Sequence, residues 1–353
     1  MKFEFTQEHD ALRGLLADVC GQGASTRTVY DTGMAIDTPL WDSLGAAGLL
    51  GVGAPERYEG GDAGPVEQVL IAEALGRVVG AVPFSEHTAA TEVVMLLGSD
   101  DQRRRLLPPL TRGEAVAGIV LPDRAALSAV EARRDGSRWR LDGRVPLIPN
   151  AAAATVLAVP ALVDEQVSWF ATTAADISAL PTVDRSRPAA AAEFSSAGAE
   201  LLHGGQVSER PRDLLLTLAA AEAAGAASTA LESTARYTTE RHQFGLPIGT
   251  FQAVKHRLAD MLVAVENCRS GVYGAAWALL ESDSPGLSVA LAQAVATANA
   301  VTVISDAVQL HGGIGVTWEC DLHLLLRRAK ALEATYGSPG MHRARIAAGL
   351  LGD

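Results

Sequence analysis

Apolar positions change their period twice along the chain. From residue 1 to about 113 they recur at helical spacing. Leu12, Leu15, Leu16 and Val19 fall on one helical face behind Thr6, a residue type that caps helix starts. Leu40, Leu44 and Ala47 repeat the pattern, and Val66, Val69, Leu70 and Ala74 repeat it again. Pro55, Glu56, Gly60 and Gly61 between them predict a turn-forming loop. From about 114 to 203 the runs shorten. Gly118 to Leu121, Val156 to Val159 and Val167 to Phe170 are strand candidates. Asp135-Gly136 and Asp142-Gly143 are hairpin signals on either side of Trp139-Arg140-Leu141. From about 211 the helical period returns. Val254, Leu258, Met261, Leu262, Val265, Cys268 and Val272 keep it over many turns, as do Ala290, Leu291, Ala294, Val295, Ala298, Val301 and Val308. Long Ala-rich helices of this kind pack as an antiparallel bundle. The expectation is therefore an α+β chain with three parts: an N-terminal helical domain over 1–113, a β domain over 114–203 and a helical bundle over 204–353.

Composition narrows the function. Apolar residues make up 48% of 353 residues, enough for a sizeable core. The net charge of -12 repels a phosphate backbone, which argues against nucleic acid. A local basic site for a phosphorylated cofactor stays open. Cys20, Cys268 and Cys320 lie far apart without metal-ligand spacing, so they predict neither a disulfide framework nor a zinc site. The first ten residues are polar and acidic, unlike a signal peptide. Charges interrupt the apolar stretches, so none reads as a membrane span. A cytoplasmic protein is the expectation.

Two segments carry candidate chemistry. Arg241-His242-Gln243-Phe244-Gly245 precedes Pro247, Gly249, Phe251 and Gln252, so it joins one helix end to the next helix start. An arginine there can grip a phosphate through two N–H bonds, and an aromatic can pack on a flat ring. The ordinary alternative is a surface arginine beside a buried phenylalanine. The second segment is Gln309-Leu310-His311-Gly312-Gly313-Ile314-Gly315. One glycine ends a helix; three in four positions suggest that something lies close over bare backbone.

Together these segments resemble the hallmark motifs of the acyl-CoA dehydrogenase family. The Arg327 to Lys330 run, the Pro55-Glu56 loop with Gly60-Gly61, and Thr182-Val183-Asp184 with Arg187 extend the resemblance over nearly the whole chain. The resemblance implies an α-helical domain, a β domain and a four-helix bundle. It also implies an FAD shared between two subunits. Arg241, Phe244 and Gln252 would contact an FAD held mainly by a neighbour. Gln309, Gly312 and Gly313 would cover its adenosine diphosphate part. Asp213 would stand at a substrate-binding position, an acyl-CoA would be the substrate, and an electron-transfer flavoprotein the acceptor. A dimer or tetramer is expected.

The departures from the family pattern are one-sided. Its members take an α-proton with a glutamate, because that proton is only weakly acidic. Tyr336 stands at one usual position of that glutamate, and Leu215, followed by Leu216, at the other. A phenol with a reference pKa of about 10 is a poor base near neutrality. In the β domain, Leu121 to Arg124 and Leu147-Ile148-Pro149 replace stretches that touch a subunit's own flavin. Such losses are similar to those of the degenerate partner in actinobacterial heteromeric acyl-CoA dehydrogenases, some of which act on steroid side chains. That reading is favoured. Two rivals stand beside it: a homo-oligomeric acyl-CoA or acyl-carrier-protein dehydrogenase with a relocated base, and a flavin-free scaffold. Glu333, Glu222 and Asp213 are the carboxylates that could replace the base. For Glu333 and Glu222 a solvated or salt-bridged helix residue is the simpler expectation. For His256 and His311 it is a solvated helix face and a loop-packing residue.

Overall fold

The computed structural model describes residues 4–22, 26–121, 129–136, 138–202 and 209–352. The chain begins helical: α1 (Gln7–Cys20), α2 (Thr26–Thr32), α3 (Thr38–Ala46), α4 (Pro65–Arg77), α5 (Phe84–Leu97) and α6 (Asp100–Thr111). Local chemistry sets several of these boundaries. Asp37 caps α3 by accepting from the Leu40 N–H, with Pro39 inside the first turn. Ser99 and Gln102 form a reciprocal capping box at the start of α6. In the loop before α4, Gly60 has no room for a side chain, because a Cβ there would lie 2.0 Å from the Ala54 carbonyl oxygen.

Strands follow: β1 (Ala117–Ile119), β2 (Val130–Asp135), β3 (Arg138–Pro149), β4 (Val156–Val163), β5 (Gln166–Thr172), β6 (Asp176–Leu180) and β7 (Ala189–Leu201). They form one sheet in the order β1-β4-β2-β3-β7-β5, with β6 on β7, and a further β4–β5 pairing closes the path. Val130, Leu141, Phe170 and Phe194 sit in its core. Asp135-Gly136 makes the expected hairpin turn between β2 and β3. Asp142-Gly143 does not turn the chain. It lies within β3 at a register shift against β7. Gly143 has φ 141°, and a Cβ there would lie 2.1 Å from the Ala129 oxygen. The glycine serves a bulge and a close strand approach, a role that shares its sequence signal with a hairpin.

The rest is helical: α7 (Arg210–Glu240), α8 (Gln252–Glu281), α9 (Gly286–His311), α10 (Leu322–Thr335) and α11 (Pro339–Leu351), with a small hairpin of β8 (His242–Gln243) and β9 (Leu246–Pro247) between α7 and α8. The described residues thus give eleven α-helices and a mixed sheet.

In space the chain groups into two compact units. One holds residues 1–20, 69–80 and 216–353; the other holds 21–68 and 81–215. In the first, most of α4 packs against α7 at backbone distance. A Cβ on Gly76 would meet the Glu222 oxygen at 2.1 Å, and one on Gly225 would meet the Glu73 oxygen at 2.0 Å. Each helix offers a glycine to the other's carbonyl. α7 is lined with fully buried alanines from Ala219 to Ala230. It and the 286–316 stretch are long and apolar enough to cross a membrane, but 89% of the α7 window is buried inside the protein. Its apolarity is accounted for by the bundle.

In the second unit, the Thr182–Arg187 segment is an anchor. Asp184 is fully buried and accepts from Tyr30 Oη at 2.8 Å and the Ser186 N–H at 3.0 Å. Arg187 and Glu86 form a buried ion pair at 2.5 Å. Near it, His87 accepts from the Ala117 N–H at 3.1 Å, and burial pushes its pKa down to about 4.

Candidate functional site

Three segments far apart in sequence meet at one end of the bundle. Tyr237, in the last turn of α7, stacks on His311 at the end of α9, with ring centroids 4.2 Å apart and planes 17° from parallel. Its hydroxyl donates to the His311 carbonyl at 3.3 Å. Arg257, near the start of α8, bonds both oxygens of Asp306 on α9, at 3.1 and 3.2 Å. The end of α7, the start of α8 and the end of α9 are thereby tied together. They bring Arg241, Phe244 and Gln252 to the same end as Gln309, Gly312 and Gly313. The aromatic at 237, one helical turn before Arg241, is the sequence signal for this joint, and reading by motif passes over it. His311 is the packing residue expected of it, and His256 is exposed on α8 as expected.

The local backbone presents these side chains outward. Gly245 has φ 79° and Phe244 φ 54°, which turn the β8–β9 hairpin. The Ile248 N–H closes it onto the Arg241 carbonyl at 2.8 Å. Phe244 is 92% exposed, touched in ring contact by Phe251 at 6.2 Å. The ordinary alternative, a buried phenylalanine in a helix connection, therefore does not hold. Leaving a phenylalanine bare forgoes about 1.5–3 kcal/mol of burial, which a surface inside another chain's reach would recover. Arg241 is exposed, and among the described residues no carboxylate lies within ion-pair distance of it.

The three glycines separate by cause. Gly315 is required by packing, since a Cβ would meet the Val308 oxygen at 2.6 Å. Gly312 is required by its backbone, with φ 63° and ψ -141°. Gly313 meets neither demand: its φ is ordinary and nothing lies within 4 Å of its missing Cβ. Bare, open backbone at the end of a helix is what a ligand lying flat over the chain needs. The donors, the exposed ring and the open glycines are groups that could hold part of a flat, phosphate-bearing cofactor.

The positions tied to proton abstraction are different. Tyr336, at the C-terminal boundary of α10, is 4% exposed, and Leu215 is 1% exposed. The candidate replacement carboxylates are engaged. Glu222 is buried and bonded to buried Arg328 at 3.3 Å; Arg328 also donates to the Gly80 carbonyl at 3.0 Å. Glu333 accepts from Lys330 at 2.9 Å. Both are salt-bridged, the simpler expectation. Asp213 is buried in the first turn of α7, the opposite end of that helix from Arg241. In β3, Leu147 is exposed, Ile148 belongs to the sheet core, and Pro149 closes the strand without an N–H to offer. Of the Leu121–Arg124 stretch, residues 122–124 lie outside the described residues.

Helices, a mixed sheet and a C-terminal helical domain, in that order, make the acyl-CoA dehydrogenase fold. The chain belongs to the acyl-CoA dehydrogenase family: residues 6–114 match its N-terminal domain and residues 217–351 its C-terminal domain. It is 34% identical to acyl-CoA dehydrogenase FadE34 of Mycobacterium tuberculosis over 98% of its length, and spans about half (48%) of that protein. Two solved assemblies are similar over their length. One is the steroid ACAD Tcur3481-Tcur3483, at 29% identity and TM-score 0.90, covering 98% of each chain. The other is the ChsE4-ChsE5 complex from Mycobacterium tuberculosis, at 27% identity and TM-score 0.91, covering 100% of each chain.

Proposed function

We propose that this chain is the FAD-gripping partner of a catalytic acyl-CoA dehydrogenase subunit, in an assembly that oxidises an acyl-CoA thioester to its 2,3-enoyl form. One observation carries the reading. The groups that would reach a neighbour's flavin are bare and outward, while both usual base positions are filled by buried residues without a carboxylate. FAD, when bound, supplies the acceptor for the hydride from the β-carbon. Arg241 neutralises cofactor charge, Phe244 packs against it, and Gln252 contacts it from the start of α8. Gln309, Gly312 and Gly313 cover its adenosine diphosphate part. The α-proton goes to a carboxylate of the second subunit. The ion pairs of Glu222 and Glu333 count against either as a base relocated within this chain. The resemblance to steroid-active heteromers makes bulky acyl groups the first substrates to try. An electron-transfer flavoprotein as acceptor and a cytoplasmic location belong to the same reading.

The test is an absorption spectrum of the protein purified alone and co-expressed with a candidate catalytic acyl-CoA dehydrogenase subunit. Flavin bands with the partner only are expected. Flavin that is retained by the lone chain and bleached by acyl-CoA would overturn the proposal. No flavin in either preparation would favour a scaffold.

A further inference from the structure

The sheet unit carries a second polar feature that the flavin reading does not use. A cleft of about 310 Å³ opens where the start of β3, the end of β7 and the end of β5 meet α6. Its lining includes Arg105, Arg138 and Arg140 against a single carboxylate, Glu200, on a chain whose net charge is -12. Arg105 is ion-paired to Glu200. Arg140 is fixed by Asp135 Oδ2 at 3.2 Å and the Ser196 carbonyl at 3.3 Å, and it lies against Gly198, where a Cβ would be 3.7 Å from its Nη1. Arg138 is exposed, and among the described residues it has no ion-pair partner. Trp139, leaning on Phe170 at 5.5 Å, adds an apolar wall. All of these residues belong to the same compact unit.

We infer that this cleft binds a small organic oxyanion, a phosphate or carboxylate carried on an apolar body. Three guanidiniums against two carboxylates, Glu200 and Asp135, leave one positive charge for an oxyanion, and the guanidinium fork matches two of its oxygens at once. Arg140, partly buried and bonded to Asp135 and the Ser196 carbonyl, is held before a ligand arrives, so little of its side-chain entropy is lost on binding. Arg138 is the group whose charge is left for the ligand. The apolar wall selects against a bare ion.

The experiment is titration calorimetry on the full chain, in whichever assembly it purifies, with octyl phosphate, decanoate and inorganic phosphate. The expected result is one-to-one binding of octyl phosphate or decanoate, and the two arms tell phosphate from carboxylate. Inorganic phosphate should bind at least about tenfold more weakly. Arg138→Gln, an exposed position that should not affect folding, should weaken the organic anion by about tenfold. Arg134→Gln, on β2 and outside the cleft lining, should leave it unchanged. The inference is overturned by no binding at millimolar ligand, by equal binding of inorganic phosphate, or by an Arg138→Gln protein that binds as before.

Discussion

The middle of the bundle and its open end use the same residue types for opposite purposes. In the middle, Gly76 and Gly225 are forced by carbonyl oxygens about 2 Å from any Cβ they would carry. At the end, Gly313 has open space around it. In the middle, Arg328 is buried and held by Glu222 and the Gly80 carbonyl. At the end, Arg241 is exposed and, among the described residues, has no carboxylate near it. The fold accounts for the first set completely. The second set makes no such contact among the described residues, and the proposed function assigns it to another molecule.

Substitutions can break that contrast, and the largest effects belong to the middle. Glu222→Ala takes a buried carboxylate away from the buried Arg328 guanidinium and should cost about 3–5 kcal/mol, read as a shift of the urea midpoint. Acid should act next, through His87. Its folded pKa of about 4 lies below the unfolded value of 6.5. Between those values the unfolded chain binds the proton and the folded chain does not. The contribution is whole above pH 6.5 and falls as pH drops to 4, by about 3 kcal/mol in all. Unfolding curves at pH 7 and pH 4.5 should show the loss, and His87→Gln should flatten it.

Apart from Gly312, whose backbone demands glycine, positions at the open end should matter little for stability and much for cofactor. Gly312→Ala forces a side chain onto φ 63° and should cost about 1–3 kcal/mol. Gly313→Ala, by contrast, should change stability by less than about 0.5 kcal/mol. If Gly313→Ala nevertheless loosens FAD in the two-subunit assembly, the bare backbone faces the cofactor. Arg241→Ala and Phe244→Ala should likewise leave unfolding unchanged within about 0.5 kcal/mol. Each should raise the FAD dissociation constant by about tenfold, measured by flavin release on dilution. Unchanged retention in both would break the assignment of this end as half a cradle.

Much of the architecture is legible in the order of residues alone. Apolar periods of 3.6 and 2 are local, so they locate the helices and strands. The break at Gly245, Pro247 and Gly249 marks a helix connection for the same reason. The glycine-rich end of α9 stands out because three glycines exceed what one helix cap needs. The bulge at Gly143 reads as a turn and is not one, since a positive φ looks the same in sequence whichever structure uses it.

What tertiary structure alone decided were distances between separate segments. Nothing at position 222 says that Arg328 will neutralise it, because 106 residues separate them and only packing joins them. The stack of Tyr237 on His311, which brings both motifs to one end, has the same origin. Exposure was also undecided: Phe244 reads as a core residue by type and proves to be the barest large side chain at the bundle's end. Residue identity determines what each group can do chemically; which groups meet, and which are left for another molecule, follows only when the chain closes on itself.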